Sequence, residues 1–197
     1  MEYTQAEFGH IDYVFANAAA PGFNQPRFDK LEEPDTSETV NTLNSVLFTI
    51  HAAAPFLAKS PANDRAIFIT GSDAAFQAFD VNPNYGIAKA AMNAVTFSYA
   101  DPLLQCGIRI NMVSPAWVLT GLTAPWRDIG GLVESDFIPM KVVTDAFLRL
   151  IKDTSKSGII TRIPQPRAIP FDIQAETLIT GKWSYWAPLF GMAPSPS

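Results

Sequence analysis

Short apolar runs alternate with longer segments of helical spacing along this chain, and that alternation limits the possible folds more than any other feature. Residues 11–16, 65–70, 108–113 and 158–163 are rich in Ile, Val and Phe and are bounded by Gly, Pro or Asn, which predicts strands. Between them, residues 36–58 carry Val40, Leu43, Val46, Leu47, Ile50 and Ala54 at the spacing of one helical face. Residues 85–100 predict a helix with small residues (Ala88, Ala91, Ala94) on one side, ended by Pro102. Residues 139–152 predict a third helix, with Pro139 in the first turn and an apolar stripe through Val142, Val143, Ala146, Phe147, Leu150 and Ile151. Strand and helix in strict alternation predict an α/β domain, a parallel sheet with helices on both faces. Residues 17–35 and 114–138 read as long loops. From Pro164 the alternation dissolves into a Pro- and aromatic-rich tail, so the chain divides into a domain, 1–163, and a tail, 164–197.

Composition bounds the function. The 197 residues are 48% hydrophobic and 17% charged, enough apolar material for a buried core. The net charge is −5 and the basic residues are scattered singly, which disfavours a nucleic-acid partner. One cysteine, Cys106, can form neither an internal disulfide nor a cysteine zinc cluster. His10 and His51 are isolated and no carboxylates are grouped at ligand spacing, so no metal site is expected. The most apolar stretch, 46–58, contains His51 and Pro55 and is too short to span a bilayer. A cytoplasmic protein without a membrane partner is the expectation.

In an open α/β sheet, ligands bind at the carboxyl ends of the strands. Here those ends carry Asn17, Gly71-Ser72 and Ser114-Pro115-Ala116. Just beyond the second lie Tyr85 and Lys89, at i and i+4, so one helix face presents both. An ammonium beside a phenol favours the phenolate, which predicts a lowered tyrosine pKa and a general acid or base. On its own the pair is weak evidence, since a solvated helix face also accommodates it.

Four blocks around the pair change its weight. Gly71-Ser72, then Tyr85-Gly86-Ile87-Ala88-Lys89-Ala90-Ala91 after twelve residues, resembles the active-site segment of the short-chain dehydrogenases/reductases. Ile11-Asp12-Tyr13-Val14-Phe15-Ala16-Asn17-Ala18-Ala19 is similar to the family's Asn-Ala-Gly strand. Ser45 through Pro55 resembles its central helix, and Gly107 through Thr120 the Pro-Gly segment that wraps the nicotinamide. The Phe8 to Asn17 wording and the tail are similar to members that tailor fungal secondary metabolites, and the resemblance implies a Rossmann-like doubly wound parallel sheet. The resemblance implies NADP or NAD as cofactor and a small carbonyl or alcohol as substrate. It makes Tyr85 the proton donor or acceptor and Lys89 its tuner and a ribose ligand. It places Ser72 on the substrate oxygen and Asn17 along the cofactor groove. Val118 and Thr120 contact the nicotinamide amide and nearby phosphate, and a homo-oligomer forms through the two central helices.

The chain also departs from the family. Thr42 stands where the family's helix Asn belongs; Asn41 and Asn44 point away from it by about 100° and 200°. Ala19 and Ala116 replace the glycines of Asn-Ala-Gly and Pro-Gly. No G-x-x-x-G-x-G turn occurs, so the first strands and the pyrophosphate cradle of the family pattern are expected to be missing from this sequence. Two readings follow: a short-chain oxidoreductase, or a pseudoenzyme or assembly subunit of the same fold that does not bind dinucleotide.

Overall fold

A computed structural model describes residues 1–18, 35–79, 82–129, 132–165 and 177–180, the last as backbone alone. The elements run α1 (Glu2–Phe8), β1 (Tyr13–Ala16), α2 (Ser37–Leu57), β2 (Ala66–Thr70), α3 (Pro83–Gln105), β3 (Arg109–Pro115), α4 (Ala124–Ile129), α5 (Met140–Lys152), β4 (Ile159–Ile163) and β5 (Thr177–Thr180). Short 3₁₀ turns lie at Asp73–Ala75 and Glu134–Asp136. The strands form one sheet in sequence order. Pairs β1–β2, β2–β3 and β3–β4 are parallel, as expected for strands joined by helices.

The core follows from the period of two in the strands. Ile67 and Ile69 of β2, Ile110 and Met112 of β3 and Ile160 of β4 meet Val46, Ile50, Ala53 and Leu57 of α2 and Met92, Val95 and Leu103 of α3. Their neighbours Ala66, Phe68, Val113, Ile159 and Ile163 meet Val143, Ala146 and Leu150 of α5 on the opposite face. Helices therefore cover both faces. Fully burying a side chain such as Leu57 contributes about 1.5–3 kcal/mol. Gly107 and Gly158 take positive φ (70° and 72°) in the turns entering β3 and β4, a conformation open to glycine at little cost.

Four features differ from the sequence expectation. Helix α3 begins at Pro83 and runs through Pro102 to Gln105. Pro102 costs the bond to the Ser98 carbonyl, and burying Leu103 in the main core one residue later offsets it. Pro55 is carried likewise inside α2, next to the buried Leu57. The loop expected over 114–138 contains α4, the second 3₁₀ turn and a bridge between Val118 and Ile138. Within the tail, β5 pairs antiparallel with β4, from Ile159–Thr180 to Arg162–Thr177, so the sheet is mixed at that edge. Helix α1 was not legible in the periodicity; it buries no residue. Ala19 and most of the tail, 166–176 and 181–197, lie outside the described residues.

At the amino ends of the strands one guanidinium gathers the sheet. Arg109 of β3, 4% exposed, donates from Nε and Nη2 to the two Asp64 oxygens at 2.6 and 2.7 Å. Its Nη1 donates to the carbonyls of Leu150 at 3.1 Å and Lys156 at 3.0 Å. Tyr13 of β1 donates its hydroxyl to the same Asp64 at 2.9 Å. Buried Asn111 joins β3 to the turn before β4, donating to Lys156 O and accepting from Ile159 N. Among the described residues, no helix is long and apolar enough to cross a membrane, and no three His, Cys, Asp or Glu side chains are grouped to hold a metal.

Candidate active site

The parallel strands end on one edge of the sheet. Asn17 follows β1, Gly71 and Ser72 follow β2, and residues 116–120 follow β3. Helix α3 starts beside this edge because the chain has an N-cap there. Asn82 Oδ1 accepts from the Tyr85 N–H at 3.1 Å, and Pro83 takes the first helical position, where a missing N–H is harmless. Tyr85 is thereby fixed in the first turn, with Phe79 packed on its ring at 5.7 Å, and Lys89 lies one turn on.

Side chains from three elements form one network. Thr70 Oγ1 donates to Asn17 Oδ1 at 2.7 Å. Lys89 Nζ donates to the Thr70 carbonyl at 3.1 Å and sits 5.6 Å from the centroid of the Tyr85 ring. Ser72 Oγ accepts from Ala74 N at 3.2 Å, and Ser72 lies near enough to the Tyr85 phenol to act on its pKa. Asn17, Ser72, Tyr85 and Lys89, all named from the sequence, thus come together. The Val118 carbonyl and the Thr120 amide are instead both engaged by Thr123, in a turn of their own after β3. Thr42 is buried on α2, and Asn41 is exposed. His51 is remote from the network, its Nε2 3.1 Å from the Tyr99 hydroxyl.

The electrostatics correct one expectation. The Tyr85 pKa is raised, not lowered: burial disfavours the phenolate and the Glu38 charge adds to this, while the Ser72 hydroxyl acts the other way. Lys89 does not reverse it, because its ammonium lies over the ring and bonds a backbone carbonyl. Lys89 is itself only 3% exposed, and burial lowers its pKa to about 8.

Sequence reasoning missed four contributors. Thr70 bridges Asn17 and Lys89. Asn82 ahead of Pro83 carries the signature of a helix start, which could have placed α3 two residues earlier. Glu38 of α2 is buried against Asn82. Asp73, beside Ser72, accepts from Arg162 Nε of β4 at 2.5 Å and from Gln77 Nε2 at 3.0 Å, and the Arg162 guanidinium lies 5.1 Å from the Phe76 ring centroid. No local pattern announces that last pair. Gly71 is also constrained: a Cβ there would lie 2.3 Å from Ser114 Oγ and 2.8 Å from Met112 Sδ. Gly71→Ala is expected to destabilise the protein by about 1–3 kcal/mol in urea unfolding, the cost of overpacking beside Ser72.

A family model described as enoyl-(acyl carrier protein) reductase matches residues 1–144. The chain belongs to the short-chain dehydrogenase/reductase family. Oxidoreductase asL5 of Sarocladium schorii is 35% identical over 119 residues, which are 60% of this chain and 47% of asL5. The (21S)-21-acetoxyl-apo-melianone synthase SDR of Melia azedarach is 30% identical over 145 residues, 71% of this chain and 51% of that protein. The chain thus spans about half the length of the curated relatives it matches. Among solved structures, ElxO with NADP bound superposes with a TM-score of 0.68 at 20% identity, covering 82% of this chain and 69% of that one. At that identity the likeness establishes the Rossmann-type α/β fold. Short-chain dehydrogenases/reductases are oxidoreductases that work with NAD(P).

Proposed function

We propose that this chain carries the catalytic half of an NAD(P)-dependent short-chain oxidoreductase that interconverts the carbonyl and alcohol of a small apolar metabolite, in secondary-metabolite biosynthesis. One observation carries the reading: Lys89 is linked through Thr70 to Asn17 and sits 5.6 Å from the centroid of the Tyr85 ring, with Ser72 beside the phenol, at the carboxyl ends of β1 and β2. The donor set fits a nicotinamide riboside. Lys89 has three N–H donors, one of them on the Thr70 carbonyl, which leaves two for a ribose diol. Asn17 lines the same edge. The bound cofactor supplies or accepts the hydride.

The protein's own part is the proton. The raised pKa keeps Tyr85 protonated at neutral pH, so its Oη holds a proton ready for an oxygen gaining negative charge. Ser72 presents a hydroxyl to that same oxygen and to the phenol, which aligns the two. Lys89, with a pKa of about 8, keeps positive charge near the ring at neutral pH and stabilises the phenolate left after transfer. Val118 and Thr120, held in their turn by Thr123, would stand on the nicotinamide side of the groove. Self-association falls on α2 and α3, whose solvent faces carry Phe48 (70% exposed) and Ile87 (58% exposed).

Titration of the folded protein with NADPH and NADH in a calorimeter, followed by a panel of apolar ketones and aldehydes, tests the proposal. Binding of at least one dinucleotide and its carbonyl-dependent oxidation are expected. Folded protein that binds neither would overturn it in favour of the non-enzymatic assembly reading.

A further inference from the structure

Two helix starts meet behind Tyr85, and a buried carboxylate sits at the junction. Glu38, in the first turn of α2, is 7% exposed. Asn82, the N-cap of α3, donates its Nδ2 to both Glu38 oxygens, at 3.2 and 3.0 Å. Its other amide atom, Oδ1, accepts from the Tyr85 N–H. A side-chain amide has two orientations, and both neighbours demand the same one: the Tyr85 N–H needs an acceptor, and an ionised carboxylate accepts and cannot donate. Nδ2 must therefore face Glu38, and Oδ1 is left to cap α3 at Tyr85. Two more bonds join the same helix starts, from Thr39 Oγ1 to Asn84 O at 3.1 Å and from Asn84 Nδ2 to Asp35 O at 3.0 Å. The first turn of α3 is thus held by the first turn of α2 and the residue leading into it.

We propose that Glu38 is a positioning residue for Tyr85: by accepting both Asn82 Nδ2 bonds it anchors the side chain that caps α3 at Tyr85, and it adds a buried negative charge to that helix start. The proposal rests on reading Tyr85 as the proton carrier. Glu38 lies one turn before Thr42 on the same buried stripe of α2, which continues through Val46 and Ile50. That stripe packs toward α3 and the sheet, so a carboxylate at its head faces the helix that bears the tyrosine. The charged and polar groups about the phenol are Lys89 on α3, Glu38 on α2 and Ser72 on the loop after β2. The next ion pair along that loop, Asp73–Arg162, is engaged with itself and Gln77. Of these, Glu38 disfavours the phenolate, in keeping with a pKa held up. Its charge therefore biases Tyr85 toward the proton-donating form that carbonyl reduction needs.

The test reads Tyr85 directly. In protein labelled with [ζ-¹³C]tyrosine, the Tyr85 signal is assigned by its loss in Tyr85→Phe, then followed through alkaline titration in wild type and Glu38→Gln. The Gln variant removes the charge and offers Asn82 Nδ2 one amide oxygen in place of two carboxylate oxygens, which loosens the side chain that caps α3. Its Tyr85 midpoint is expected to move to lower pH, and exchange of the Tyr85 amide hydrogen to speed up by about 5- to 10-fold, the loss of one helix cap. A merely structural Glu38 would lower the melting temperature and leave the midpoint in place. Should Glu38→Gln fail to fold, Glu38→Asp withdraws the carboxylate by one methylene and is expected to move both readouts the same way by less. An unmoved midpoint with an unchanged amide would overturn the proposal. The titration needs no turnover, so its failure is separate from failure of the oxidoreductase reading.

Discussion

Tyr85→Phe is expected to lower carbonyl reduction by about 10²- to 10⁴-fold, the range for removing a positioned general acid, while the protein stays folded. The substitution deletes one oxygen. Its ring packing against Phe79 and the cation above its face are kept, so the fold should be little affected. Dinucleotide affinity should change little, because Lys89 and Asn17 are untouched. The measurement is kcat and KM for a reducible ketone beside the dissociation constant of the dinucleotide and a melting curve. Turnover retained within 10-fold of wild type would remove Tyr85 from the chemistry.

Arg109→Met is expected to be the most damaging single change to stability, at about 3–5 kcal/mol, because it removes one member of a buried ion pair and strands the other. It removes the Arg109 bonds to both Asp64 oxygens and to the Leu150 and Lys156 carbonyls together, leaving Asp64 with Tyr13 and the Lys156 carbonyl with Asn111. The pH dependence supplies an independent check. Hydrogen bonding from Arg109 is the main reason that the Asp64 pKa lies below the usual carboxylate range; the Tyr13 hydroxyl adds to it and burial opposes it. A carboxylate whose pKa is depressed by folding contributes stability in full above its unfolded pKa, and loses it as pH falls through the folded value. Wild type should therefore lose stability on acidification below about pH 4, where unfolded Asp begins to take up protons. Arg109→Met should show a flatter acid limb in urea titrations from pH 6 downward. An equally steep limb in both proteins would show that Asp64 does not carry the effect.

How much of this was legible in the sequence varies with the range of the interaction. The four parallel strands and the three long helices were readable because each is set by local periodicity and by breakers a few residues apart. The short α1 and α4 lack an apolar stripe and left no such trace. Pro102 misled, because the rule that proline ends a helix is local, while the burial of Leu103 that overrides it is tertiary. The site divides in the same way. Tyr85 and Lys89 lie one turn apart, so their shared face follows from helix geometry. The direction of the Tyr85 pKa did not follow, because it depends on burial and on Glu38, 47 residues away in sequence (85 − 38). The β5 pairing was hidden in a tail whose prolines and aromatics mask any alternation.

The ion pair between Asp73 and Arg162 has a consequence for how the protein acquires its site. Its members are 89 positions apart, and every parallel pairing in the sheet also joins segments separated by a whole helix. High contact order of this kind slows folding, because loop-closure entropy is lost before the contacts that reward it exist. The segment bearing Ser72 is made before its anchor, which arrives only with the last parallel strand. The arrangement around Ser72 is therefore a late event, completed when β4 docks.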